Sequence, residues 1–461
     1  MDWMLEHLDD IGSLTLQHTW LAGLPLVVGL LVSLPLGWLA HRQPRLRGIV
    51  VVSAGLLYTV PSLALFVLMP LVLGTGILDP VNVVVAMTIY TVALLVRSVV
   101  DGLGSVPDEV TRSAVAMGYT PVRRFVGVDL PLAVPVIAAG LRVAAVSNVS
   151  IVSIASLIGV SQLGDLLVDG YNRAISGELA AGILGVRPPR GRPRPRHPAR
   201  RAAAHPLAPR RAGGVGMIGE IIRWLTSGAS WAGADGIGAR LLEHIGYTLV
   251  VLVIAALVAV PVGLWIGHTG RGRWLVTAAN ALRAVPTLGL LFALTLVLLP
   301  RLPGDAAFLV PSVIVLVLLA IPSILSGTYA GVESVPLAAR DAARGIGMTG
   351  SQVLWRVEVP IALPLLISGL RAAVLQVVAT ATVAAYVGLG GLGRFLIDGL
   401  ATQDYASTAG GALLVALLAL ALDAPFAVLG RLVVSPGLTG RSRSLRPAID
   451  HNRTATAGGT P

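Results

Sequence analysis

GYTLVVLVIAALVAVPVGLWIG, residues 246–267, carries no charged side chain over its whole length. As an α-helix it would be about 33 Å long, enough to cross the roughly 30 Å hydrocarbon core of a bilayer. Eight further stretches read the same way: 21–40, 49–72, 81–100, 136–158, 274–299, 307–326, 365–387 and 409–433. Lipid offers no partner to an open backbone group, so each span must be a helix. The expected fold is an all-α polytopic membrane protein with about nine transmembrane helices. One such run could be a buried core helix; nine cannot all be.

Composition agrees. Of 461 residues, 55% are hydrophobic and 12% charged, with a mean hydropathy of +0.82. Soluble domains carry about 25% charged residues. Cysteine is absent, which removes disulfides, thiolate metal sites and a cysteine nucleophile. The net charge of +11 allows either a nucleic-acid binder or basic cytoplasmic loops. Arginine placement separates the two. Arg42, Arg45 and Arg47 follow the first span, and Arg112, Arg123 and Arg124 lie between the third and fourth. Arg271 and Arg273 follow the fifth span. Arg340, Arg344 and Arg356 precede the eighth, and Arg431, Arg441, Arg443 and Arg446 follow the last. The other short loops, near Gly74–Pro80 and Pro300–Asp305, hold only Arg301. The positive-inside rule then puts the N-terminus outside and the C-terminus in the cytoplasm. Residues 1–20 hold four acidic residues and no Lys or Arg, unlike a cleavable leader. The run 21–40 is read as the first span.

The chain repeats itself. LVSLPLGWLAH at 31–41 matches LVAVPVGLWIGH at 257–268, and LLYTVPSLALF at 56–66 matches ALRAVPTLGLLF at 281–292. VDLPLAVPVIAAGLR at 128–142 matches VEVPIALPLLISGLR at 357–371, and LIGVSQLGDLLVDG at 157–170 matches YVGLGGLGRFLIDG at 386–399. From Val106 onward the two copies keep a constant offset of 229 positions. The expected organisation is unit 1 over 1–185, a segment over 186–216, unit 2 over 217–435 and a polar tail over 436–461. Unit 1 lacks its last span. Where the repeat calls for an apolar helix, residues 187–211 hold nine arginines and seven prolines, which neither sustain a helix nor enter lipid. Two readings of 186–216 compete: a basic, disordered linker, or an out-of-frame stretch with Met217 as the start of a separate second subunit. The abrupt switch and the amphipathic MIGEIIRWL at 217–225 favour the second. The basic segment has no interleaved aromatics or folded motif, so no nucleic-acid partner is expected.

The loops before the fourth and eighth spans carry the functional signal: SVPDEVTRSAVAMGYTPVRRFVGVDLP at 105–131 and SVPLAARDAARGIGMTGSQVLWRVEVP at 334–360. Each reads as a short helix, a glycine break, a second short helix, and a proline suited to the first turn of a following span. Small side chains at Ala342 and Ala343 would let another surface approach closely.

These loops resemble the EAA loop of permeases in binding-protein-dependent ATP-binding-cassette importers. That motif runs Glu-Ala-Ala, three residues, Gly, nine residues, a hydrophobic residue, one residue, Leu-Pro. Unit 2 has Asp341, Ala342, Ala343, Gly347, Val357, Val359 and Pro360; unit 1 has Arg112, Ser113, Ala114, Gly118, Val128, Leu130 and Pro131. Asp341 keeps the family's charge and Arg112 reverses it, so the coupling strength of unit 1 is the weaker expectation. YTVPSLALF, RAVPTLGLLF and GLGGLGRFLIDG are similar to the osmoprotectant branch, which takes glycine betaine, carnitine, choline or proline-type solutes. The resemblance implies a cytoplasmic ATPase dimer seated on the two loops and an extracytoplasmic substrate-binding protein. A second permease chain is a further candidate partner. It implies no cofactor, metal or catalytic residue on this chain. The Gly-rich run at 388–393 lacks the GxxxxGK[ST] of a phosphate loop.

Polar residues inside spans are the pathway candidates: Ser147 and Asn148 in unit 1, Gln376 and Thr380 in unit 2. Interhelical hydrogen bonding explains such residues equally well. Tyr58, Tyr90 and Tyr386 could face a quaternary ammonium, but their spacing shows no cage. The competing function is a secondary transporter driven by an ion gradient, whose repeats are often inverted and whose spans carry acidic relays. Here the copies are parallel and the central spans lack Asp and Glu. A membrane enzyme would need an HExxH or Ser/His constellation, and none is present.

Overall fold

The computed structural model describes residues 3, 6–76, 78–184, 214–283 and 285–433. Most of the basic segment (186–213) and the C-terminal tail (436–461) lie outside the described residues. Unit 1 contains α1 (Leu8–Arg42), α2 (Pro44–Thr59), α3 (Ser62–Leu73), α4 (Pro80–Gly104), α5 (Asp108–Ala116), α6 (Pro121–Ile158), α7 (Gly164–Asn172) and α8 (Ser176–Leu184). Unit 2 contains α9 (Gly214–Thr226), α10 (Gly228–Trp231), α11 (Ile237–Thr269), α12 (Arg273–Leu282), α13 (Thr287–Leu298), α14 (Ala306–Glu333), α15 (Leu337–Gly345), α16 (Gly350–Val387), α17 (Gly393–Thr402) and α18 (Tyr405–Val433). The starts of α5, α6, α7 and α8 recur 229 residues later in α15, α16, α17 and α18. Among the described residues seven helices are long and apolar enough to cross a membrane, and two bent helix pairs bring the number to nine.

Those bent pairs correct the expectation of continuous spans at 49–72 and 274–299. Helices α2 and α3 meet at 105° and α12 and α13 at 90°. Each break falls at the proline of TVPS or AVPT. Val60, held extended (φ −68°, ψ 126°) by the proline that follows, ends α2, and Pro61 and Pro286 are the N-caps of α3 and α13. The apolar count was sufficient for a straight span; ring sterics at one residue bend it.

Pro131 and Pro360 do stand in the first turn of a regular α-helical stretch, Leu130–Val152 and Val359–Ala384, but each stretch continues an earlier helix. Helices α6 and α16 begin ten residues earlier, at Pro121 and Gly350, and run through the prolines. Just before each proline lies one π turn, Phe125–Asp129 and Leu354–Glu358. Leu130 N–H bonds to Phe125 O, and Val359 N–H to Leu354 O. The π register absorbs the missing proline N–H without ending the helix.

With lipid as apolar as leucine, helices associate through close backbone approach and polar contacts. The two units use the same device. A Cβ on Gly37 of α1 would lie 2.7 Å from Val99 Cβ on α4, and one on Gly263 of α11 would lie 2.7 Å from Thr328 Cβ on α14. Val99 and Thr328 are repeat equivalents. Between the units, α18 packs on α3 while α7 and α8 pack on α13. Phe66 of α3 and Phe292 of α13 are both fully buried in one core shared by the two units. The glycine-rich run before α17 serves the fold: Gly391 N–H donates to Glu243 Oε2 at 2.8 Å.

Candidate functional site: coupling loops and the path between the units

In each loop a short helix closes on a glycine in the left-handed region, Gly118 at φ +81° and Gly347 at φ +85°. Tyr119 N–H reaches back to Ala114 O at 3.1 Å and Gly118 N–H to Val115 O at 3.0 Å; Met348 to Ala343 (3.1 Å) and Gly347 to Arg344 (2.9 Å) repeat the pattern. This double bond is a Schellman cap, which needs a residue tolerant of positive φ. No atom lies within 4 Å of a Cβ built on either glycine, so backbone conformation alone requires glycine there. The next helix of unit 2 opens with a capping box between Thr349 and Gln352.

Ala114 and Ala343 are buried against their own unit, whereas Asp341 and Ala342 are exposed. Only Ala342 of the small pair is therefore open to another surface. The tips of the loops are apolar and outward-facing: Met117 is 70% exposed and its equivalent Ile346 is 76% exposed. Sequence reasoning passed over this pair; the signal was an apolar residue directly before the break glycine in an otherwise polar loop.

Unit 2 has an ionic anchor that unit 1 lacks. Glu358, in the π turn, is fully buried. His268 Nδ1 at the end of α11 lies 2.7 Å from its Oε2, and Arg340 Nε on α15 lies 3.1 Å from its Oε1. Arg340 also donates to Val332 O at the end of α14. One carboxylate thus ties α15 to two spans. In unit 1 the equivalent Asp129 bonds Arg124 of its own helix at 3.0 Å, and Thr111 stands where Arg340 would be. The coupling helix α5 carries only an exposed Arg112–Asp108 contact at 3.8 Å.

Between the units, beside both helix breaks, lies a cavity of about 150 Å³. Tyr58, Tyr90 and Ile151 of unit 1 and Arg283, Gln376 and Thr380 of unit 2 line it. Gln376 Nε2 donates to Thr380 Oγ1 at 3.2 Å. The other two pathway candidates sit elsewhere. Asn148 is buried, accepting from and donating to Thr91 and donating to Ala22 O, so it joins α6 to α4 and α1. Ser147 is half-buried and does not line the cavity. The tyrosines that looked scattered in sequence come together with partners. Tyr58 and Tyr90 meet edge to face at 6.0 Å, and Tyr386 joins Tyr171 and Phe292, with centroids 4.4 to 6.4 Å apart.

Two bent spans, two capped loops at a fixed offset and a cavity on the interface describe paired membrane units. The sequence pattern of binding-protein-dependent transport system inner membrane components matches residues 29–186 and, a second time, 259–435. The chain belongs to that family. It contains two such units in tandem and is the multi-pass inner-membrane permease component of an ABC transporter, with ATP hydrolysis on a separate subunit. That membership favours ATP-driven import over the ion-gradient alternative, and it implies an ATPase and a substrate-binding protein as partners. Among relatives, the osmoprotectant import permease protein OsmW of Salmonella typhimurium is 36% identical over 187 residues, covering 40% of this chain and 86% of the relative. The glycine betaine/carnitine/choline transport system permease protein OpuCB of Bacillus subtilis is 32% identical over 200 residues, covering 43% and 88%. A solved chain of the MetNI methionine ABC transporter, inward facing, is 22% identical, covers 42% of this chain and 94% of its own, and has a TM-score of 0.37.

Proposed function

We propose that this permease component imports osmoprotectants of the quaternary-ammonium class, glycine betaine, carnitine or choline. The observation that carries the reading is the identity of about a third, over more than four-fifths of their length, to permeases named for those solutes. Each coupling loop would seat on one subunit of a cytoplasmic ATPase dimer: Asp341, Ala342, Ala343, Gly347 and Pro360 in unit 2, Ala114, Gly118 and Pro131 in unit 1. Of these, the buried Ala114 and Ala343 and the prolines would shape the loop, while exposed Asp341, Ala342, Met117 and Ile346 would touch the ATPase. The arginine-bearing loops would face the cytoplasm, with the N-terminus outside. A substrate-binding protein would then dock on the side of α7 and α17. The Glu358 anchor supports unit 2 as the stronger coupling half. The test is uptake of radiolabelled glycine betaine, carnitine and choline in a host stripped of its own osmoprotectant uptake. The chain is supplied with its ATPase and binding protein. Uptake at high osmolarity that requires ATPase turnover is expected; no uptake of any of the three would overturn the reading.

We also infer that unit 1 has lost a last span through a reading-frame change, with Met217 opening a second subunit. Arg371 donates to Asp423 through Nε (2.8 Å) and Nη2 (2.5 Å), pinning α16 to α18. The equivalent arginine, Arg142, is exposed on α6, and the position equivalent to Asp423 is Arg194. An exposed cation on a membrane span, where the other unit pairs its equivalent with an acid, supports a missing helix that carried one. Resequencing codons 180–220 with an intact-mass measurement tests this. A restored apolar segment with an acidic residue near position 194 is expected, and a confirmed continuous frame overturns it.

A further inference from the structure

The cavity between the units holds one formal charge, and no side chain among the described residues neutralises it. Arg283 lies at the break between α12 and α13 and is exposed to the cavity. Its Nη2 donates to Ser323 Oγ at 2.9 Å. Among the described residues it forms no ion pair, and the cavity lining contains no Asp or Glu. Every other cavity-lining residue is neutral: two tyrosines, a few hydroxyls, Gln376 and aliphatic side chains. An arginine at membrane depth is costly, and its usual explanation is an anion it meets in function. The guanidinium fork suits a carboxylate in particular.

The other half of the cavity has the opposite character. Tyr58 occupies in unit 1 the position of Arg283 in unit 2, since YTVPS aligns with RAVPT. The tyrosine and the arginine thus line one cavity from equivalent bends. Tyr58 and Tyr90 stand at 81° to one another, forming a corner of two π systems. The Tyr90 hydroxyl donates to Val60 O at the end of α2, which fixes that ring against the break. Ring faces attract a cation without a full charge, and do so best where water is scarce.

We propose that this cavity is a zwitterion subsite on the transport path. Arg283, oriented by Ser323, takes the carboxylate of a betaine, and the Tyr58–Tyr90 corner takes its quaternary ammonium. This rests on the osmoprotectant reading and narrows it: solutes bearing both charges are selected over choline. Choline has no carboxylate to neutralise Arg283 and brings a like charge into a cavity of low dielectric. The size agrees, since about 150 Å³ admits one small solute and excludes a peptide or a lipid.

The test is uptake of labelled glycine betaine and labelled choline by the assembled transporter in proteoliposomes, with membrane insertion checked by immunoblot. Arg283→Gln should lower betaine uptake about tenfold or more, the effect of losing a charge-assisted pair. Choline uptake should stay level or rise. Arg283→Lys should restore part of the betaine uptake, and Tyr58→Leu should lower both solutes while Tyr58→Phe lowers neither. Equal loss of both solutes in Arg283→Gln, or no loss of betaine, overturns the subsite while leaving the osmoprotectant reading intact. Should the wild type carry neither solute, that reading falls instead, and the subsite with it. If Arg283→Gln fails to insert, Ser323→Ala must show the same direction in weaker form, and its failure to do so also overturns the proposal.

Discussion

Replacing Arg340 with methionine should loosen the coupling helix of unit 2 while leaving the spans in place. The substitution keeps the apolar stem and removes the charge. It takes from fully buried Glu358 its arginine partner, at 3.1 Å, and leaves the His268 contact at 2.7 Å. Orphaning a buried charge completely costs about 3–5 kcal/mol; with one partner retained we take about 2 kcal/mol. The lost bond to Val332 O adds about 1 kcal/mol. A total near 3 kcal/mol is on the order of 100-fold in the opening equilibrium of α15. Hydrogen exchange reads this directly, because the Gly347 and Met348 amides are protected by bonds to Arg344 O and Ala343 O within the same loop. Their exchange should accelerate by that order in the variant. The matching amides of Gly118 and Tyr119 in unit 1, which has no such anchor, should not change. The double variant Arg340→Met with Glu358→Gln removes both charges and should recover much of the protection. A change below about threefold at Gly347 and Met348, or a double variant no better than the single one, would refute the view that this ion pair holds the coupling helix.

Three further outcomes follow from the geometry. Gly347→Leu places an L side chain at φ +85° with open space around it, at a cost of about 1–2 kcal/mol. It should weaken ATPase retention in pull-downs without reducing membrane insertion, and Gly118→Leu should do less if unit 2 is the stronger coupling half. Asp423→Asn should lower the thermal midpoint of the detergent-purified chain by breaking the two-pronged Arg371 contact, whereas Arg142→Gln should leave it unchanged or higher. In α7, burial first and the neighbouring Asp169 second hold the Asp165 carboxyl up at about 6, above its ordinary 3.8. Its folded form binds the proton more tightly than the unfolded chain. The fold therefore loses stability as pH rises from about 4 to about 6, and carries the full penalty above that. Asp165→Asn should stabilise the protein by about 1–2 kcal/mol at pH 7.5, after allowing for partial exposure, and by nothing at pH 4. A variant destabilised at both values would count against this account.

Much of the geometry of the two loops proposed for coupling could be read before any fold was known, because its parts are close in sequence. The spacing from Asp341 through Gly347 to Pro360 recurs from Arg112 through Gly118 to Pro131, and the structure folds both into capped helices of identical register. The role of the prolines could not be read this way. A proline entering a helix and one bridged by a π turn have the same sequence, and the difference lies in backbone hydrogen bonds five residues apart. The same holds at TVPS and AVPT, where hydropathy averaged over some 20 residues hides a bend made by one residue.

The amino-acid sequence alone determined the membrane setting, the duplication and the place of the two glycine-broken loops. Each is a local or periodic property: the bilayer thickness sets a length of apolar chain, arginine marks a loop, and a repeat shows itself at a fixed offset. Only the tertiary structure decided which polar residues meet. Asn148 turned inward to tie three helices, while Gln376 and Thr380, on the equivalent span, opened on a cavity. Glu358 found His268 ninety residues away, and Tyr58 came to line one cavity with Arg283. Such contacts depend on how helices rotate and cross. That rotation is set by the close approach of Gly37 to Val99 and of Gly263 to Thr328, and by the π turn that shifts the register of each helix beyond it.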